Sequence, residues 1–265
     1  MYGPQQKGNI LKSEKLPISV CIITLNEQVN IGACIESADF ASEIIIVDSF
    51  STDQTRKISE SYGARFFEHK FEGHIQQKNI ALSYATFPWV IAIDADERIS
   101  QAMKTRIFEI FQGEPKYDGY RFHRTTWYLT KWIRHGRFYP DRQLRLFKKD
   151  KATWGGSNPH DKIKLSGTFC DLSEDILHYS YRDIANHIQT SNNFSSIQAN
   201  ILFNRGKNRF IVFKMILKSI WTFLDSYLLR AGFMDGREGF IIAVISAFSM
   251  FARYAKVYEL DVKQR

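Results

Sequence analysis

Four short apolar runs in the first hundred residues, each followed by an amphipathic segment, restrict this chain more than any other feature. They are Ile18-Ser19-Val20-Cys21-Ile22-Ile23, Glu43-Ile44-Ile45-Ile46-Val47, Ala64-Arg65-Phe66-Phe67 and Trp89-Val90-Ile91-Ala92-Ile93. Short runs rich in β-branched and aromatic residues, apolar on both faces, suit strands buried in a parallel sheet. Helical patterns fall between them at about 27–39, 53–62, 76–86 and 100–112. The alternation predicts an α/β fold, a doubly wound and mostly parallel sheet with right-handed crossovers. Ligands of such sheets collect at the carboxyl ends of the strands. Those ends are polar here: Thr24-Leu25-Asn26-Glu27, Asp48-Ser49-Phe50-Ser51-Thr52-Asp53 and Asp94-Ala95-Asp96-Glu97.

Past residue 115 the pattern changes to aromatic and basic stretches, Tyr120 to Trp132 and Gln143 to Lys149, read as strands that extend the sheet or cover the site. Beyond His178 the reading is helical, at about 182–204, 208–231 and 237–258, the last after a turn at Gly232 to Gly236. The expected organisation is a loose polar leader at 1–17, a catalytic domain at 18–181 and a helical region at 182–265. A hydrophobic content of 44% over 265 residues is enough for a substantial core. The three cysteines are scattered and form no CxxC pair, which argues against a disulfide framework or a zinc site and favours a reducing cytoplasm.

The net charge of +8 points to an anionic partner: nucleic acid, membrane or a phosphorylated substrate. Its distribution favours a membrane. Between Asp183 and Asp225 there is no acid, while Arg205, Lys207, Arg209, Lys214 and Lys218 alternate with Phe203, Phe210, Phe213, Ile216, Leu217, Ile220 and Trp221. Such a segment suits a helix in the headgroup region of an anionic leaflet. The longest uncharged apolar stretch, Gly239 to Ala252, falls short of the roughly 20 residues that cross a bilayer, so peripheral attachment is expected.

Asp94-x-Asp96 carries the chemistry. Fifteen aspartates in 265 residues supply about one such spacing by chance, so its position is what matters. It closes an apolar strand, where carboxylates are expensive unless they meet a cation. Two carboxylates there suit Mg²⁺ or Mn²⁺ whose remaining ligands are donor phosphates. Asp48, at another strand end, is read as a hydrogen-bond partner of a nucleobase or ribose, and Asp53 as a helix cap. Asn26 and Glu27 are read either as donor contacts or as the start of the following helix. Lys78, near the N-terminus of an amphipathic helix, suits a diphosphate or ribose.

Taken together, Thr24-x-Asn26-Glu27, Asp48-Ser49-x-Ser51-x-Asp53-x-Thr55, Gln77-Lys78-Asn79-x-Ala81 and Asp94-Ala95-Asp96-Glu97 resemble, in this order and spacing, the inverting family-two glycosyltransferases of GT-A fold. The second half is similar to a narrower group, the bacterial lipopolysaccharide-core glucosyltransferases. The matching stretches are Arg142 to Phe147, Trp154 with Pro159-His160-Asp161, Leu177 to Tyr181, and Gly232 to Gly239. The Gln-x-x-Arg-Trp motif of processive synthases is missing, which disfavours long-chain synthesis, and Asp161 stands where the core group more often has glutamate.

The resemblance implies an inverting transfer from UDP-glucose or a related UDP-hexose to a lipopolysaccharide-core or other lipid-linked glycan, at the cytoplasmic face of the inner membrane. In that scheme Asp48 and the Thr24 to Glu27 loop hold the nucleoside. Asp96 binds the metal, Asp94 contacts metal or ribose, and His178 stands as a further metal ligand. Asp161 takes the acceptor proton, ahead of Glu97 and His160. Two other classes compete. A basic nucleic-acid-binding protein would explain the charge, but no recognisable nucleic-acid motif accompanies it. A nucleotidyltransferase shares the α/β layout, but lacks here the Gly-rich loop such enzymes place after the first strand.

Overall fold

The computed structural model describes residues 15–157, 160–206 and 210–264. Most of the polar leader, Asn158, Pro159, the His160 side chain, Lys207 and Arg209 lie outside the described residues. The chain divides into two compact units, residues 1–122 with 144–174, and residues 123–143 with 175–265.

In the first unit the apolar runs form β1 (Leu16–Thr24), β2 (Ala41–Asp48), β3 (Arg65–Glu68) and β4 (Trp89–Asp94). β1 pairs in parallel with both β2 and β4, and β2 with β3, which places four successive strands in the order β3-β2-β1-β4. Between them run α1 (Ile31–Ser37), α2 (Thr55–Ser61) and α3 (His74–Tyr84). Past β4 come the short strand β5 (Glu97–Ile99) and α4 (Gln101–Phe111), whose N-cap Ser100 accepts the Met103 N–H at 3.1 Å. Met103 and Ile107, one turn apart, are the buried face of α4.

The aromatic and basic stretches are strands too: β6 (Gly119–Tyr128), β7 (Lys131–Ile133) and β8 (Asp141–Lys148), with β9 (Ala152–Ser157), β10 (His160–Leu165) and β11 (Phe169–His178) after them. β8 joins the sheet antiparallel to β4, with Ile91 opposite Leu146. The order continues β4-β8-β6-β11-β5, so the sheet is mixed, with parallel strands at the catalytic-motif end. β9 and β10 form a separate antiparallel pair in which Asp161 faces Gly156. Asp161 therefore sits on a strand, although its Asn-Pro-His-Asp context also reads as a turn. Behind the strand ends, Cys21, Ile45, Val47, Ala81, Val90 and Phe147 are core residues, packed against Trp154 of β9.

The second unit carries α5 (Ile184–Asn204), α6 (Ile211–Leu224) and α7 (Gly236–Gln264), with a π-helical turn at Asp225–Leu229. Asp183 caps α5 by accepting the Asn186 N–H at 2.7 Å. α7 packs on α5 and α6. The glycine-rich stretch before it is a tight corner, where a Cβ on Gly239 would lie 1.9 Å from the Gly232 carbonyl oxygen. Inside the corner, buried Asp235 accepts the backbone N–H groups of Arg134 at 3.0 Å and His135 at 2.8 Å. The segment Gly232–Gln264 is long and apolar enough to cross a membrane by length and composition, with a mean hydropathy of 1.6 over an 18-residue stretch of it. The uncharged run Gly239 to Ala252 lies inside that segment.

His187 of α5 is buried, 2.8 Å from the Tyr128 hydroxyl through Nδ1, and burial pushes its imidazole down to about 4. The unfolded chain binds this proton near pH 6.5, so the neutral ring's stabilisation is complete above that value and is lost as pH falls towards 4. Thermal melts between pH 7.5 and 4.5 should show a fall in Tm that His187→Gln flattens; equal slopes for the two proteins would contradict this.

Candidate active site

Two loops at the ends of β1 and β2 are laced together. Asn26, at a left-handed φ of 55°, donates its N–H to Ser51 Oγ at 2.7 Å and accepts the Thr52 N–H through Oδ1 at 2.8 Å. The Glu27 N–H reaches Thr55 Oγ1 at 2.8 Å, so residues 27–30 form a turn and α1 starts at Ile31 rather than at 27. Asp48 is buried, and its carboxylate accepts the Thr24 hydroxyl at 2.7 Å, the Ser51 N–H at 2.6 Å and the Ser51 hydroxyl at 2.5 Å. Asp53 accepts the Thr55 N–H at 2.9 Å and the Gln28 N–H at 3.1 Å, so it ties the loops together, while the N-cap position of α2 falls to Gln54 rather than to Asp53. Thr24, Asn26, Glu27 and Asp48 are thus brought into one rigid loop pair.

The second cluster lies at the end of β4. Asp94 Oδ1 is 2.9 Å from Lys78 Nζ, and Asp94 Oδ2 is 3.5 Å from an Arg145 guanidinium nitrogen. The same guanidinium reaches Glu97 Oε1 at 2.7 Å, and Glu97 Oε2 accepts the Asp94 N–H at 3.0 Å. Glu97 and Arg145 are both buried. Glu97, held in reserve as a base by sequence reasoning, is instead the clasp that folds the Asp94 to Glu97 turn. Asp96 sits in that turn half-buried.

Lys78 contacts a third acid, Asp161 Oδ2, at 2.9 Å, and its ammonium lies 4.5 Å over the Trp154 ring. Burial works against the ammonium, but Asp94 and Asp161 outweigh it and hold its pKa above the ordinary lysine value. Asn79, the next residue, donates its amide to the Trp154 carbonyl at 3.1 Å and accepts the Trp154 N–H at 2.9 Å. The predicted residues Lys78, Asp94, Asp96 and Asp161 therefore belong to one unit, and the Lys78 ammonium joins Asp94 to Asp161. His178 ends β11 in the other unit.

Sequence reasoning missed Arg145, Gln77 and Trp154 as site residues. Gln77 is buried and donates to Ser49 Oγ at 3.1 Å and to the His69 carbonyl at 3.2 Å, tying α3 to the end of β2. The available signal was Arg145 itself, a cation in an otherwise apolar strand stretch, Leu144 to Phe147, which requires a buried acid.

For a divalent cation the donor set is Asp96 with Asp94. Among the described residues no group of three or more His, Cys, Asp or Glu forms a ready cage. That set fits Mg²⁺ or Mn²⁺, which take one or two carboxylates and complete their shell with substrate phosphates and water.

A sequence profile for the family described as glycosyl transferase family 2 matches residues 19–177. A glycosyltransferase of Rickettsia typhi is 33% identical over 261 residues, 94% of this chain and 89% of its own length. The lipopolysaccharide core biosynthesis glycosyltransferase LpsC of Rhizobium meliloti is 32% identical over 253 residues, 92% of this chain and 93% of its own. Among solved structures, glucosyl-3-phosphoglycerate synthase from Mycobacterium tuberculosis, in complex with Mn²⁺, UDP and glucosyl-3-phosphoglycerate, aligns at 22% identity and a TM-score of 0.34. That alignment covers 42% of this chain and 44% of the synthase.

The Glu97–Arg145 clasp carries a stability prediction. Glu97→Ala strands a buried guanidinium, and breaking such a pair costs about 3–5 kcal/mol. Denaturant unfolding should show a loss of that order, with Glu97→Gln closer to wild type; a loss under about 1 kcal/mol would remove the clasp from the account.

Proposed function

The chain belongs to glycosyl transferase family 2 and is a glycosyltransferase, and from that premise we propose that it is a metal-dependent, inverting hexosyltransferase that extends a lipid-linked lipopolysaccharide core. The observation that carries this is the convergence of Asp94, Lys78 and Asp161 at the end of an apolar strand, next to Asp96. Donor and acceptor chemistry both need charge there. Family membership also selects this reading over a nucleic-acid-binding protein or a nucleotidyltransferase.

The loop pair built on Asp48, Thr24, Asn26 and Glu27 holds the nucleoside of a UDP-hexose, with glucose the hexose the sequence resemblance favours. Asp48 keeps that loop closed through Thr24 and Ser51 and offers a remaining lone pair to the base or ribose. Asp96 supplies the carboxylate for Mg²⁺ or Mn²⁺, with Asp94 beside it. Bound there, the cation neutralises the diphosphate as the bond to the anomeric carbon breaks. Lys78, in the second turn of α3, adds a positive charge to the same end. Asp161 accepts the proton of the attacking acceptor hydroxyl, and attack opposite the leaving group inverts the anomeric centre. LpsC, a core-biosynthesis enzyme aligned over nearly its whole length, supports the acceptor class.

Residues 18–181 act as the catalytic domain and 182–265 as a membrane-associating region, peripheral on the cytoplasmic face of the inner membrane. α6 supports this. Val212, Phe213, Ile216, Leu217, Ile220 and Trp221 are all exposed on it, with Lys214 and Lys218 among them. That pattern matches an interfacial helix and keeps the enzyme where a lipid-linked acceptor resides.

Two experiments decide between outcomes. UDP should bind with Mn²⁺ at least tenfold more tightly than without, Asp96→Asn should abolish that gain, and Asp161→Asn should cut transfer by about 10²–10⁴-fold. Metal-independent binding or surviving transfer would reassign those residues. Flotation with anionic vesicles should weaken when Lys214 and Lys218 become Gln and fail when Phe213 and Trp221 become Ser; unchanged flotation would dismiss α6 as the anchor.

A further inference from the structure

Helix α3 grips the β9–β10 pair with two consecutive side chains of different character. Asn79 holds the Trp154 peptide from both sides and accepts the Thr153 hydroxyl at 3.1 Å. These are neutral bonds with fixed partners. Lys78 is a charged and divided contact, with one ammonium 2.9 Å from Asp94 Oδ1 and 2.9 Å from Asp161 Oδ2. Its side chain is a compact point charge on a flexible stem, with three rotatable donors and no fork that would fix both partners at once.

The arrangement leaves the proposed base engaged. Asp161 directs Oδ2 at that ammonium at 2.9 Å, so the ion pair competes with an acceptor hydroxyl for this oxygen. A diphosphate arriving beside Asp94 and Asp96 brings new anionic oxygens to the same ammonium, and charge-assisted bonds to phosphate compete directly with those to carboxylate. Asp94 remains as the pivot, since it already sits at the donor end. Asn79 keeps the hairpin in place while its neighbour changes partner.

We propose that Lys78 is an exchangeable counter-ion that occupies Asp161 in the empty enzyme and moves to the donor diphosphate on binding, so that the base is released only when a sugar donor is present. No covalent bond changes and no proton moves; one ion pair is exchanged for another. The exchange makes donor binding a precondition for activating the acceptor, and loss of UDP re-engages the base. It rests on the reading of Asp161 as base and of Asp94 and Asp96 as the diphosphate end.

The test is a double-mutant cycle on the affinity for UDP with Mg²⁺, by calorimetry, in wild type, Asp161→Asn, Lys78→Gln and the double variant. If Asp161 competes with the diphosphate for Lys78, Asp161→Asn should bind UDP roughly threefold or more tightly than wild type. The gain should vanish in the Lys78→Gln background. Unchanged affinity in Asp161→Asn, or an equal gain without Lys78, would overturn the exchange, the second because it reports only removal of a negative charge. Transfer separates this from the underlying reading: tighter UDP with full transfer keeps the exchange and moves the base elsewhere, whereas lost transfer with unchanged affinity keeps the base and ends the exchange. A readout on the unsubstituted protein accompanies it. The Lys78 ¹⁵Nζ signal should shift on addition of UDP and Mg²⁺, and a signal that stays at its donor-free position counts against the exchange.

Discussion

At the carboxyl end of β4, Asp94 and Glu97 enter a region whose strand residues are buried and apolar, and the cost of ionised groups there governs everything around them. Two cations meet that cost. Arg145 arrives from β8 and Lys78 from α3, and between them they reach Glu97, Asp94 and Asp161. The β9–β10 pair joins them, since Asp161 meets the same ammonium. One charge cluster thus ties β8, α3 and the β9–β10 pair to the end of β4. Hydrophobic residues of equal volume often give as stable a core as buried ion pairs, so the cluster is better accounted for by chemistry than by stability.

The parallel part of the sheet was legible because its signal is local. A run such as Ile44 to Val47 declares burial on both faces within four residues, and the strands found agree with the runs to within two residues at each end. Asp48 and Asp94 were legible for the same reason, since each follows a run directly. What could not be read was partnership. Arg145 lies 48 residues from Glu97, and Asp161 lies 83 from Lys78. No periodicity encodes a pair at that separation. The start of α1 slipped from 27 to 31 through the same kind of long-range claim, because the Glu27 N–H is taken by Thr55 rather than by a helical turn.

The helical unit shows the opposite case. Three helices follow from composition and spacing, but the pattern does not say which apolar face is covered. Burial in this unit is narrow: one cluster unites Tyr128, Ile133 and Ile242, another Ala199, Ile211 and Val257. Outside them Phe213, Trp221, Leu229, Met234 and Phe248 are at least half exposed.

The helices are also tied to one another by polar links. Lys256 of α7 reaches the Asn192 carbonyl at 2.8 Å and the hydroxyls of Ser195 and Ser196 at 2.7 Å, all on α5. Asp235 fastens the corner before α7 to the backbone of Arg134 and His135. An ammonium satisfied by neutral oxygens and a carboxylate satisfied by peptide N–H groups hold elements in register beside the apolar cluster of Ala199, Ile211 and Val257, which takes one residue from each helix.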